Sequence, residues 1–246
     1  MKFGISTVGA LLAAATIAGS ASAGIPSVQI RVAQEGAGSI VLSPVGVPGN
    51  AGIDYTAEVA VWGFHASFDL SSAVKADTGN QSFGGFMSLA NTSSSMQRFT
   101  VEMTLETDAS AGDALAGGTV TGVLAGGPLG GVFSAVGDAP VWSAIINRSS
   151  GSEVIASLLA GTASDPFSVS AGADDFANIA RESFGTPIPS LPIGPLGSSR
   201  TIKMDFMLSA GAEIIIGTNF VVQVIPAPGA VAILAIAGLG AARRRR

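Results

Sequence analysis

A strict alternation of apolar and polar residues recurs along this chain and constrains its fold more than any other feature. The segment FTVEMTLETD alternates apolar residues with threonine and acidic residues, and TIKMDFML repeats the pattern. The apolar positions of the two segments are Phe99, Val101, Met103 and Leu105, then Ile202, Met204, Phe206 and Leu208. Because successive side chains of a strand point to opposite faces, the pattern predicts β-strands with one buried and one solvated face.

Shorter apolar runs between glycine, proline, asparagine and aspartate clusters predict further strands. These runs are SVQIRVA, GTVTGVL, PVWSAII, EVIASLL and NFVVQV. Strands and helices do not alternate along the chain, which argues against a parallel α/β sheet. The sequence therefore predicts a mainly β protein, with a single antiparallel β-sandwich or jelly-roll-like domain over residues 24–224.

Three segments depart from plain alternation. The apolar phase of IDYTAEVAVWGFHASFDL changes near residues 61–63, which predicts a bulge or bend in one long strand. In residues 174–185, Asp174 is placed to cap a helix and Gly185 to end it, so a helix is predicted there. The proline-rich residues 186–199 predict a long surface loop within the domain.

The chain has no cysteine among its 246 residues. Disulfides, thiolate zinc sites and cysteine nucleophiles are therefore excluded, and stability has to come from a sizeable hydrophobic core. All 17 acidic residues lie between Gly24 and Ile225, together with 7 of the 12 lysine and arginine residues. A body this acidic repels phosphate backbones, so we expect no nucleic-acid binding.

Residues 1–23 have the layout of a secretory signal peptide. Lys2 supplies a positive start, an apolar stretch runs over residues 8–18, and the small residues Ala21 and Ala23 follow. Signal peptidase accepts small side chains at such positions, so we predict cleavage after Ala23. The chain is therefore expected to be exported.

Residues 225–246 form a second distinct segment. Pro226 and Pro228 favour an extended conformation at its start, because proline lacks an N–H donor and restricts the residue before it. As a helix, the uncharged residues 229–242 reach about 21 Å, short of the roughly 30 Å hydrocarbon core of a bilayer. The last four residues are Arg243, Arg244, Arg245 and Arg246. Basic residues stay on the cytoplasmic side, and the apolar stretch is too short for a lasting anchor, so we expect a temporary tether of the precursor in the membrane.

This tail contains three parts in a fixed order: the motif of Pro226, Ala227, Pro228 and Gly229, the apolar stretch and the basic cluster. The order resembles the sorting signal of PEP-CTERM proteins of diderm bacteria, with Ala227 where that family usually has glutamate. The resemblance implies that exosortase or a similar membrane enzyme processes the tail. It also implies a mature protein released or attached at the cell surface, often in connection with exopolysaccharide. A permanent membrane tail and a C-terminal core strand ending in basic residues are the alternatives.

Candidate catalytic groups are few. His65 is the single histidine and lies in an apolar strand, where a structural role is expected. Glu102 and Glu106 share one strand face, and we expect a solvated sheet surface there rather than a glycosidase pair. The aromatic residues best suited to stack on a sugar are Trp62, Trp142 and Tyr55, and each is expected to pack in the core.

Calcium is the one ion that an exported acidic sandwich of this kind could hold, because hard cations take oxygen ligands. The candidate ligands in loops are Asp108, Asp113, Asp174 and Asp175. These aspartates reproduce no known calcium-binding loop. We therefore predict no catalytic residue, no cofactor and no metal site.

Together these observations predict a non-enzymatic protein of the cell surface or extracellular matrix. Signal peptidase, an exosortase-like enzyme and the inner membrane are the expected partners of its precursor, and exopolysaccharide is a further partner that the resemblance implies. The alternative is an exported carbohydrate-binding module or polysaccharide-active hydrolase that is delivered by the same two signals.

Overall fold

The computed structural model describes residues 25–61, 63–75, 79–110 and 112–225. All regular elements within these residues are β-strands. In chain order they are β1 (Val28–Gln34), β2 (Gly38–Leu42), β3 (Val47–Pro48), β4 (Ile53–Val61), β5 (Phe64–Lys75), β6 (Asn80–Asn91), β7 (Gln97–Glu106), β8 (Ala114–Ala125), β9 (Gly131–Ala135), β10 (Trp142–Arg148), β11 (Gly151–Leu158), β12 (Ser168–Ala171), β13 (Phe176–Phe184), β14 (Leu191–Ile193), β15 (Ser199–Leu208) and β16 (Glu213–Val224).

The strands form two antiparallel sheets. Sheet A has the order β11-β10-β15-β7-β1-β2, with β9 pairing with β15 and β12 with β9. Sheet B has the order β13-β8-β16-β6-β5-β4-β3, with β14 pairing with β8. All of these pairings are antiparallel. The predicted mainly β, antiparallel sandwich architecture is therefore confirmed.

The two segments with the clearest alternation are neighbours in sheet A. β7 and β15 pair along their length, with Val101 opposite Met204 and Met103 opposite Ile202. The apolar positions of both strands are buried, whereas the residues between them are mostly partly exposed. The period of two thus places both apolar faces on the same side of sheet A, toward sheet B.

Aromatic side chains line the core between the sheets. Phe64 of sheet B meets Phe99 of sheet A edge-on, with ring centroids 5.6 Å apart. Phe206 continues the row, at 6.0 Å from Phe99 and 5.1 Å from Phe133. Such contacts add to the free energy of burying the rings, by about 0.5–1.5 kcal/mol per pair.

A buried hydrogen bond also joins the two sheets. The indole Nε1 of Trp142 in β10 donates to Oγ1 of Thr218 in β16 at 2.8 Å. Both side chains are buried, so the bond satisfies a donor that would otherwise be buried without a partner. Trp142 is a core residue, as its sequence context predicts.

The helix predicted over residues 174–185 is wrong, because this segment forms the edge strand β13. Helical spacing would place Phe176, Ile179 and Ala180 on one apolar face, yet Ile179 is the one buried residue of the three. Pairing with β8, interrupted by a register shift between Ile179 and Glu182, supplies the backbone hydrogen bonds of the segment. The sheet partner therefore overrides the local helical spacing.

The bulge or bend predicted near residues 61–63 is instead a complete reversal of the chain. β4 and β5 are two strands of a tight hairpin, with Val61 opposite Phe64. Gly63 lies in the turn with φ of +84°, a conformation that side-chain-bearing residues rarely adopt. The change of apolar phase marks a chain reversal, because the strand after the turn has its own set of inward-facing positions.

The proline-rich residues 186–199 are more ordered than a plain surface loop. They include β14, which pairs with the start of β8 through Leu191 opposite Ala116. Leu196 is buried in the core. This segment thus covers one end of the sandwich.

The aromatic row predicts that two phenylalanine-to-alanine substitutions change the free energy of unfolding by very different amounts. Replacing the buried Phe206 with alanine should lower the free energy of unfolding by about 3–5 kcal/mol, because a large core cavity is left. The matched control is Phe176→Ala, at a position 69% exposed, which should change it by less than about 0.5 kcal/mol. Urea denaturation followed by tryptophan fluorescence measures both, and equal effects would contradict the assigned core.

Candidate functional site

The predicted targeting residues lie outside the part of the chain that the structure describes. This applies to the signal-peptide positions Ala21 and Ala23, to the motif at residues 226–229 and to Arg243–Arg246. In the described residues, no helix has the length and hydropathy needed to cross a bilayer. The export and sorting expectations therefore stay predictions.

Both ends of the described chain emerge at the same end of the sandwich. The connection from β7 to β8 crosses between the sheets at this end, over residues 107–113. Ser27 accepts a hydrogen bond from Glu106 N at 3.0 Å, at the start of this connection. The N–H of Ile225 donates to Asp113 O at 2.8 Å, at its close. We call this end of the sandwich the terminal end.

His65 and Glu102, two polar residues singled out by sequence, lie on different sheets. His65 Nε2 lies 2.8 Å from Glu58 Oε1 in an exposed pair on neighbouring strands. Glu102 lies between Arg31 at 3.5 Å and Lys203 at 3.8 Å, on the outer face of sheet A. This is the solvated sheet surface that the alternation predicts for Glu102.

Glu106 has a different environment from Glu102. It lies at the terminal end, where it accepts a hydrogen bond from Ser27 Oγ at 2.5 Å. The two glutamates therefore have different partners: Glu102 pairs with Arg31 and Lys203, and Glu106 with Ser27.

The four candidate calcium ligands are split between the two ends of the sandwich. Asp113 immediately precedes β8 at the terminal end, whereas the carbonyl of Asp175 accepts a bond from Gly126, just past the other end of β8. A strand of this length separates its ends by roughly 35 Å at about 3.3 Å per residue. Asp108 lies with Asp113 and Asp174 with Asp175, so the four cannot share an ion. Among the described residues, no group of three or more acidic or histidine side chains could hold a metal.

The aromatic candidates for sugar stacking are core residues where the structure describes them. Trp142 and Tyr55 are fully buried, and the hydroxyl of Tyr55 donates to Pro26 O at 2.8 Å. Trp62 lies outside the described residues. Trp142 and Tyr55 thus hold the fold together and offer no open ring face.

A cleft of about 950 Å³ opens at the terminal end, between the margins of the two sheets. One side is lined by the residues before β1, by the end of β7 with Glu106, by Asp108 of the β7–β8 connection and by the start of β15. The start of β4, the end of β5 and the start of β6 line the other. Its walls carry serine and threonine hydroxyls beside aliphatic side chains.

Arg200 of β15 lines this cleft and is the most unusual charged group of the described chain. It occupies an inward-facing position and is 3% exposed. Its Nη1 donates across the sandwich to Gln81 O of β6 at 3.0 Å, whereas Nε is buried without a hydrogen-bond partner among the described residues. Those residues also give it no ion pair.

Burial lowers the pKa of the Arg200 guanidinium to about 10, because the charged form loses its hydration. The side chain remains protonated at neutral pH. A buried charge without a partner destabilises the folded state, and such groups occur at functional sites more often than elsewhere. The cleft and Arg200 together form the candidate functional site.

Sequence reasoning missed Arg200, although a signal for it exists. The apolar face of TIKMDFML begins at Ile202, and the same alternation extended backward by one step falls on Arg200. A charged residue at an inward-facing strand position lies either at the margin of the sheet or in a binding site. The cleft itself carries no sequence signal, because its walls come from segments far apart in the chain.

No family model matches this chain, and no curated protein does. Among solved structures, the CBM22-1–GH10 modules of Clostridium thermocellum endo-1,4-β-D-xylanase 10B, complexed with xylohexaose, are 13% identical at a TM-score of 0.26, covering 67% of this chain and 27% of theirs. TmCBM61 in complex with β-1,4-galactotriose is 10% identical at a TM-score of 0.23, covering 62% and 86%. The enzymatically active domain of bacteriophage CBA120 tailspike protein 4 is 11% identical at 0.24, covering 70% and 19%. Likenesses this slight assign neither a family nor a ligand.

Arg200 should destabilise the fold that contains it. Replacing it with methionine, which retains length without charge, should raise the free energy of unfolding by about 1–2 kcal/mol, net of the lost bond to Gln81. The control is Arg98→Met. Arg98 donates to Asp205 through Nε at 2.9 Å and Nη2 at 2.8 Å, so its loss should lower stability by about 1 kcal/mol. Urea midpoints compare the two variants. If both are less stable than the wild type, Arg200 stabilises the fold and the prediction is wrong.

Proposed function

We propose that this chain is a non-enzymatic protein of the cell surface or extracellular matrix. Residues 1–23 direct its export and are removed by signal peptidase. Residues 225–246 then hold the precursor in the inner membrane until an exosortase-like enzyme processes the tail. The proposal rests on the order of motif, short apolar stretch and arginine cluster in the sequence.

The position of the first and last described residues supports this proposal. Ile25 and Ile225 both lie at the terminal end of the sandwich, on either side of the β7–β8 connection. A precursor joined to the membrane by either signal would therefore present the same end of the sandwich to it. The opposite end would face away, and removing one signal would not require the domain to turn over.

A polysaccharide-directed role is the second candidate, and the cleft at the terminal end is the observation that favours it. A cleft of about 950 Å³ lined by hydroxyl, carboxylate and aliphatic groups is typical in size and composition of a small-ligand site. In the hydrolase version, Glu106 and Asp108 are the carboxylates that line it. Loss of polysaccharide hydrolysis in Glu106→Gln would favour the enzyme, whereas retained binding without hydrolysis would favour the module.

The arginine cluster supplies the test of sorting. Replacing Arg243, Arg244, Arg245 and Arg246 with glutamine should reduce the membrane-held precursor several-fold, because the positive charge that keeps the tail cytoplasmic is removed. Cell fractionation with intact mass measurement of the medium and membrane forms provides the readout. The wild-type product should lack residues 1–23 and the arginine-tipped end.

The matched control replaces two exposed basic residues of the sandwich, Lys75 and Arg181, with glutamine. It lowers the positive charge of the chain without touching the tail, so its fractionation and masses should equal those of the wild type. A mature protein that still ends in four arginines would rule out processing of the tail.

A further inference from the structure

We propose that the cleft at the terminal end binds an acidic saccharide, with Arg200 receiving the carboxylate of a uronic acid residue. The observation behind this proposal is a nearly fully buried guanidinium that lines an open cleft and makes no ion pair among the described residues. The anion site follows from the structure alone. The choice of a saccharide as its carrier rests on the proposed location at the cell surface.

The hydrogen bonds of Arg200 indicate which kind of acceptor its guanidinium would bind. A guanidinium offers five N–H donors, and a buried one is normally matched by a carboxylate or phosphate. Here Nη1 donates to a main-chain carbonyl and Nε has no partner in the described chain. A carboxylate accepts two parallel N–H bonds from a guanidinium, so it would supply both the charge and the absent acceptor.

The walls of the cleft favour a hydroxyl-rich ligand. Seven hydroxyl-bearing residues line it: Ser27, Ser72, Ser82, Thr104, Thr107, Ser198 and Ser199. Ile53 and Val74 add aliphatic surface on the sheet B side. Hydroxyls serve as both donors and acceptors toward sugar hydroxyls, and the aliphatic groups can cover the C–H face of a sugar ring.

The other charges of the cleft argue against a densely charged anion. Glu106 and Asp108 share it with Arg200, so the described lining contains more acidic than basic groups. Phosphate or a sulfated chain would meet repulsion from both carboxylates. A sugar with one carboxylate per ring can place that group on Arg200 and direct its hydroxyls, as donors, to Glu106 and Asp108.

The test measures binding to protein purified from the producing cells. The probe is the trimer of galacturonic acid, and its fully methyl-esterified form is the matched ligand, equal in ring number but uncharged. Titration calorimetry is performed on the wild type, Arg200→Met, Arg200→Lys and the control Arg98→Met. Urea midpoints of each variant establish that it is folded, and inorganic phosphate is added as a competitor.

The wild type should bind the acid at least about tenfold more tightly than the ester, which corresponds to about 1.4 kcal/mol. Arg200→Met should abolish that preference and leave binding of the ester within about twofold. Arg200→Lys should bind the acid with intermediate affinity, since it keeps the charge and loses the paired donors. Arg98→Met should match the wild type.

Equal affinity for acid and ester, an unchanged preference in folded Arg200→Met, or no binding of the trimer would overturn the proposal. If phosphate binds the cleft more tightly than the trimer does, the ligand of Arg200 is a simple anion and the saccharide assignment is wrong. These outcomes are independent of sorting. If the mature protein keeps its tail and still binds the acid, the proposed processing is wrong and the proposed ligand of the cleft is retained.

Discussion

The facing surfaces of two antiparallel sheets provide the packing on which the rest of this structure depends. No disulfide is available, so the strands stay together because apolar side chains fill the space between the sheets. The aromatic row from Phe64 to Phe133 runs through that space. A polar group inside such a core has to find a partner across it, and Trp142 does so on Thr218. A charged residue buried in such a core is therefore informative.

Among the described residues, Arg200 is the one charged residue that is buried, and its position explains how the fold tolerates it. β15 runs from the terminal end into the core, and Arg200 is the second residue of that strand. At this depth a guanidinium can reach Gln81 on the opposite sheet and still border open space. Methionine or leucine would pack there without a desolvation penalty. A sandwich that keeps arginine at this point gives up stability, which is the usual consequence of placing a binding group inside a fold.

Much of this architecture is predictable from sequence, because the period of two is a direct consequence of strand geometry. The alternation in residues 99–108 and 201–208 identified two central strands, β7 and β15, and their buried faces. Local pattern failed where a neighbour decided the outcome. Residues 176–184 have helical spacing, yet the free edge of β8 recruited them as a strand. The cleft depends on six separate stretches meeting at one end, and no local pattern encodes that meeting.

The attachment of the tail follows from the same sheet geometry. β16 lies between β6 and β8 and pairs with both, up to Gln223 on one side and Val224 on the other. The N–H of Ile225 makes one last bond, to Asp113. Pro226 and Pro228 come next in the sequence and have no N–H with which to lengthen either ladder. The proposed processing site therefore follows directly on a strand that is hydrogen-bonded along both edges, so a cut beyond Ile225 leaves the described sheet pairing intact.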